Sequence, residues 1–167
     1  QATTAALEYM TSEIGERAHF SYLLNDLIED EAISSSQLEG AATTTRVAKD
    51  MLKRHRLPRT PDERMVIGNY RMMNFAWEQR YEPLSVELIT AMHRVGVEGI
   101  DDAQYSPGEL RSNDDVVVQD GEGNTVHTPP PAAGLVSRLQ MLSKWIHQSH
   151  NDINRGDYLY PLVKGIA

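Results

Sequence analysis

Thr60-Pro61-Asp62-Glu63 constrains this chain more than any other stretch. Thr60 offers a side-chain oxygen to cap a helix. Pro61 suits the first helical position, where its missing N–H costs nothing, and Glu63 completes a capping box. The helix opened there carries Val66, Ile67, Tyr70, Met73 and Trp77 on one face. A chain that announces one amphipathic helix this clearly must supply others to cover it.

The others are visible. Phe20, Leu23, Leu24, Leu27 and Ile28 follow the three-four spacing of a buried helical stripe. Val47, Ala48, Met51 and Leu52 repeat it after Thr43-Thr44-Thr45, which offers caps, and Leu57-Pro58 is expected to end that helix. A further helix follows Pro83, with Leu88, Ile89, Met92 and Val95 inward. Leu135, Leu139, Leu142 and Ile146 mark another.

Between them the character changes. Gly99 to Arg111 reads as a loop. Val116-Val117-Val118, the turn-forming Asp120-Gly121-Glu122-Gly123-Asn124 and the returning Thr125-Val126-His127 read as a β-hairpin with a longer loop. Pro129-Pro130-Pro131 stops it stiffly. Such a ribbon either binds an extended peptide by strand addition or merely connects. The last segment, from about Asp157, is apolar almost all round through Tyr158, Leu159, Tyr160, Leu162, Val163 and Ile166. That pattern predicts a buried central helix, and a chain stopping inside it looks cut short.

Composition narrows the functional classes. The 167 residues suit about one domain, and no run of eighteen apolar residues predicts a membrane span. No secretory signal is visible and there are no cysteines, which fits a cytoplasmic protein. The net charge of −8 argues against direct nucleic-acid binding. The one basic cluster, Lys53-Arg54-His55-Arg56, reads as the solvated, dipole-compensating end of a helix.

Covalent or metal chemistry has little to stand on. His147 and His150 are three apart, but no third ligand joins them, so no metal residues are assigned. His93 reads as a partly buried polar residue. Gly121-Glu122-Gly123 precedes no helix that would hold a phosphate. Ser34, Ser35 and Ser36 have no assignable base. One spacing stands out. Ser35 and Glu39 are four apart, on one face of a helix, and Gly40 suits the left-handed position that ends it. A carboxylate on a last turn faces the unfavourable end of the helix dipole, a hint that Glu39 serves a cation elsewhere.

In this order the pieces resemble the front part of Fic-family proteins. Ser35, Glu39 and Gly40 match the Ser/Thr-x-x-x-Glu-Gly/Asn motif of members that carry their inhibitory helix ahead of the Fic core. Tyr105-Ser106-Pro107-Gly108-Glu109-Leu110-Arg111 is similar to the Pro-Gly-x-x-Arg stretch before the family's flap. Val116 to His127 stands where the flap belongs, and Pro129-Pro130-Pro131 with the helix after it fits as well. Tyr158 to Ala167 looks like the helix that leads into the catalytic loop. The signature His-Pro-Phe-x-Asp/Glu-Gly-Asn-Gly is absent, so no catalytic residue is assigned to this chain.

The resemblance implies an all-α, Fic-like bundle with one small β-hairpin. Residues 1–80 would be a helical region with the inhibitory helix, and residues 81–167 the first part of the Fic core. It implies a protein adenylyltransferase using ATP and Mg2+, acting on a Ser, Thr or Tyr hydroxyl of a protein substrate. Glu39, helped by Ser35 one turn earlier, would occupy an arginine that otherwise grips the γ-phosphate. Val116, Val117, Val118, Thr125, Val126 and His127 would dock the target. A homodimer is admitted as an assembly. A phosphorylating Doc-type relative is not separated from this reading. The alternative is a non-catalytic, antitoxin-like regulator that inhibits a Fic partner; the length of chain beyond Glu39 favours the enzyme.

Overall fold

The computed structural model describes residues 8, 9, 12, 15–100, 105–152 and 158–166. Among them stand six helices and one two-stranded antiparallel hairpin, an all-α fold with a small β element. The order is α1 (Glu16–Leu38), α2 (Thr45–Lys53), α3 (Pro61–Glu78), α4 (Val86–Val97), β1 (Val118–Gln119), β2 (Thr125–His127), α5 (Leu135–His147) and α6 (Pro161–Ile166). No described helix is long and apolar enough to cross a membrane. The chain forms two units: Gln1–Gln79 with Val95–Tyr105, and Arg80–Arg94 with Ser106–Ala167.

In the first unit α1 lies along α3, and α2 packs against both. Ile33, Ala48, Met51, Leu52 and Val66 form the core, flanked by Ile67 and Tyr70. The expected stripe on α2 is buried except Val47, which is partly exposed. The stripe on α1 holds in part: Ile28 is buried and Leu23 and Leu24 are half-buried, but Phe20 and Leu27 are exposed, and Ala32, Ile33 and Ser36 turn inward as well. Ala32 and Ser36 let α3 approach closely there, and Phe20, although exposed, still meets the Trp77 ring on α3 with centroids 6.1 Å apart.

The helix ends follow from local chemistry. Thr60 Oγ1 accepts from the Glu63 N–H at 3.1 Å, and Pro61 opens α3. Glu63 does not complete the expected box on Thr60. Its carboxylate takes the Arg59 N–H instead, at 2.6 Å. Helix α2 stops at Lys53, four residues before Leu57-Pro58. There the His55 N–H bonds to the Leu52 carbonyl, the Arg56 N–H to Met51, and His55 takes a φ of 51°. This is a Schellman closure with a non-glycine residue in the left-handed position.

In the second unit Ser85 Oγ caps the start of α4 by accepting from the Leu88 N–H at 3.1 Å. The expected inward residues Leu88, Ile89 and Met92 are half-buried. Asp157, the expected start of the last segment, lies outside the described residues. The last segment is not a buried central helix. Tyr158, Tyr160, Leu162 and Val163 are all exposed, and Leu162 is 68% exposed. Apolar composition buries a helix only where other elements enclose it. The described contacts of α6 instead run through Lys164, whose Nζ donates to the Gln148 carbonyl at 2.8 Å and stands over the Trp145 ring.

Candidate functional site

Residues 35–44 of the first unit are built around the end of α1. The Gly40 N–H bonds to the Gln37 carbonyl at 3.1 Å and the Ala41 N–H to Ser36 at 2.9 Å, with Gly40 at φ 100°. This is a Schellman closure with glycine where the left-handed residue must stand. The turn is then tied down from three sides. Ser36 Oγ, fully buried, donates to the Ala32 carbonyl and accepts from Asn69 Nδ2 on α3 at 2.9 Å. Gln37 Nε2 donates to the Thr43 carbonyl at 2.8 Å. Asp62 on α3 accepts the Ala42 N–H at 3.1 Å.

Glu39 sits on this anchored backbone as the cap of α1, and its side chain is exposed. No ion pair or hydrogen bond engages its carboxylate among the described residues. The carboxylate lies at the negative end of the α1 dipole, which costs about 0.3–1 kcal/mol. Ser35 does not help fix it. The Ser35 hydroxyl turns the other way and donates to Glu31 Oε1 at 2.8 Å. One turn of spacing allowed either partner, and the sequence carries no signal to choose between them. Leu38, beside Glu39, is 90% exposed.

In the second unit the ladder pairs Val118 with His127 and Gln119 with Thr125, with an irregularity between them. Val116 and Val117 lie ahead of the strand rather than in it. All six hairpin residues are exposed. The turn is held by Asp120, whose Oδ1 accepts the Glu122 and Asn124 N–H groups, both at 2.9 Å. The Asn124 side-chain amide, with those N–H groups, holds the Asp120 carboxyl below its usual range.

The base of the hairpin is clamped by groups that only the fold brings together. Arg111 donates to the Asn113 carbonyl at 2.9 Å, to Asp114 Oδ1 at 3.1 Å and to the Pro130 carbonyl. Asp114 also accepts the Ala132 N–H, and Arg138 donates to the Pro131 and Ala133 carbonyls. Pro130 and Pro131 therefore end the ribbon by lending carbonyls to two guanidiniums. Upstream, Gly108 at φ 78° donates its N–H to His93 Nδ1 at 3.1 Å. A Cβ at Gly108 would meet Arg94 Nε at 2.7 Å. Of these, only Gly108 and Arg111 carried a sequence signal. Asp114→Ala is expected to speed amide exchange at Ala132 and across the ladder by about tenfold, leaving α1–α3 unchanged. Unchanged exchange at Ala132 would show that the clamp does not hold the ribbon.

His147 Nε2 lies 3.0 Å from the Leu84 carbonyl, and His150 faces the Trp145 ring. Among the described residues no three His, Asp or Glu side chains converge as a metal ligand set. The donor set here does not fit magnesium or a nucleotide's phosphates at either the α1 turn or the hairpin. No family model matches the chain, and no curated protein or solved structure matches it either.

Proposed function

We propose that this chain is the regulatory and leading part of a Fic-type protein adenylyltransferase, with Glu39 as its inhibitory group. One observation carries the reading: Glu39 stands on a backbone fixed from three sides, yet its carboxylate is exposed and engages no described partner. Such a group is preorganised for an incoming guanidinium. A carboxylate–guanidinium pair is bidentate, short and directional. Occupying an arginine in that way keeps it from the outermost phosphate of a bound nucleotide. Gly40 supports the same reading, because its left-handed turn is what directs the chain away just after Glu39.

The hairpin supplies the second half. Among the described residues the ribbon has only two strands, so its outer edges carry N–H and C=O groups that no third strand pairs. An extended segment bearing a hydroxyl side chain can add to such an edge, held by main-chain bonds rather than by its sequence. The chemistry of transfer, with ATP and Mg2+, is assigned to none of the described residues.

In the full-length protein, Glu39→Gly is expected to raise transfer of AMP from labelled ATP to protein by roughly tenfold or more, the scale of a coupling free energy of 1–3 kcal/mol. Glu39→Asp, one methylene shorter, should release the enzyme only in part. Equal labelling by parent and Glu39→Gly would end this reading.

A further inference from the structure

A groove of about 690 Å3 runs along α2 and the connection from α2 to α3. Its walls carry Arg46, Arg54, Arg56 and Arg59, with Asp50 and Glu63 between them. Both acids are already engaged. Asp50 pairs with Arg54 at 2.7 Å, and Glu63 takes both terminal nitrogens of Arg56 at 2.8 and 3.0 Å together with the Arg59 N–H. The guanidiniums of Arg46 and Arg59 make no ion pair with a described residue. The groove thus sets four guanidiniums against two carboxylates, in a chain whose net charge is −8.

That arrangement has a direction. Arg56 is held in place by the nearly buried Glu63, so ordering it costs a ligand little. Arg46 and Arg59 supply uncommitted planar donors, which match phosphate oxygens two at a time. The volume falls within the range of small-molecule sites. Several donors around one concavity suit adjacent phosphates better than a single one. Nucleic acid would need a basic stripe along the surface. This groove is a local basin in an acidic chain.

We propose that the groove binds a small molecule carrying two or more linked phosphates. The site is separate from the Glu39 turn, and the inference does not rest on the Fic reading. Calorimetric titration of the 167-residue chain at low ionic strength tests it. Pyrophosphate is expected to bind about tenfold or more tightly than orthophosphate. Arg46→Glu/Arg59→Glu should weaken pyrophosphate by about tenfold or more. Both side chains are exposed, so the fold should survive. Arg80→Glu/Lys144→Glu makes the same change in net charge at residues outside the groove's lining and should keep affinity within about threefold. ADP binding tighter than pyrophosphate would identify a nucleotide as the source of the phosphates; equal binding would identify the inorganic ion. No measurable pyrophosphate binding, binding retained by the arginine variant, or equal loss in both variants overturns the proposal.

Discussion

Gly68→Ala is expected to cost about 3 kcal/mol or more, or to prevent folding, whereas Gly96→Ala should stay within about 1 kcal/mol of the parent. The two glycines face each other where α3 meets the end of α4. A Cβ built at Gly68 would overlap the Gly96 carbonyl oxygen and stand 3.1 Å from its carbonyl carbon. That obstacle is backbone, so no rotamer change relieves it. The backbone at Gly68 and Gly96 would have to shift apart and lose its close contact. At Gly96 a Cβ would meet Met72 Sδ at 3.2 Å, the flexible end of a long side chain. Met72 can move, and alanine adds about 1 kcal/mol of helix propensity in compensation. Against a typical total stability of about 5–15 kcal/mol, the first change is severe and the second nearly silent. Urea unfolding of the two variants decides it. Equal midpoints would mean that the Gly68 and Gly96 backbones are not in close contact.

How far the fold was readable depends on the range of the forces involved. The start of α3 was legible because capping is local: Thr60, Pro61 and Glu63 act within one turn. The end of α2 was not, because the expected stop relied on Pro58 while His55 accepted a left-handed φ first. Periodicity marked α1 as a helix and found Ile28 and the half-buried Leu23 and Leu24, but it overstated Phe20 and Leu27 and missed Ala32, Ile33 and Ser36. Ala32 and Ser36 carry little hydrophobicity, and only contact with α3, including the Asn69 bond, shows that they point inward. The last segment failed for a related reason, since apolar composition states what a helix needs and not what surrounds it. At the candidate site, the left-handed turn at Gly40 could be read from spacing, whereas the exposure of the Glu39 carboxylate and the Ser35–Glu31 bond could not. The Arg111–Asp114–Arg138 clamp joins groups that no local pattern announces, whereas the arginine groove was half visible as the basic cluster at Arg54 and Arg56, which local reasoning took for a solvated helix end.

Glu63→Gln should lose roughly 2–3 kcal/mol at neutral pH, and the loss should disappear in acid. Glu63 is 7% exposed, and Arg56 holds its carboxyl well below the usual range, down to about 2, with the Arg59 N–H adding to the effect. A carboxyl whose folded value is depressed stabilises the fold above its unfolded value. That stabilisation fades as pH falls toward the folded value. The window here runs from about 4.5 down to about 2. The parent should therefore lose stability through that range more steeply than Glu63→Gln, and the two should converge near its lower end. Glutamine keeps the shape and one acceptor oxygen but cannot answer both nitrogens of Arg56, so the neutral-pH loss reports charge rather than packing. Chemical denaturation at several pH values separates the cases. A constant difference between parent and Glu63→Gln from neutral pH into acid would mean that the carboxylate is held by packing alone, and that Arg56 is free to turn into the groove.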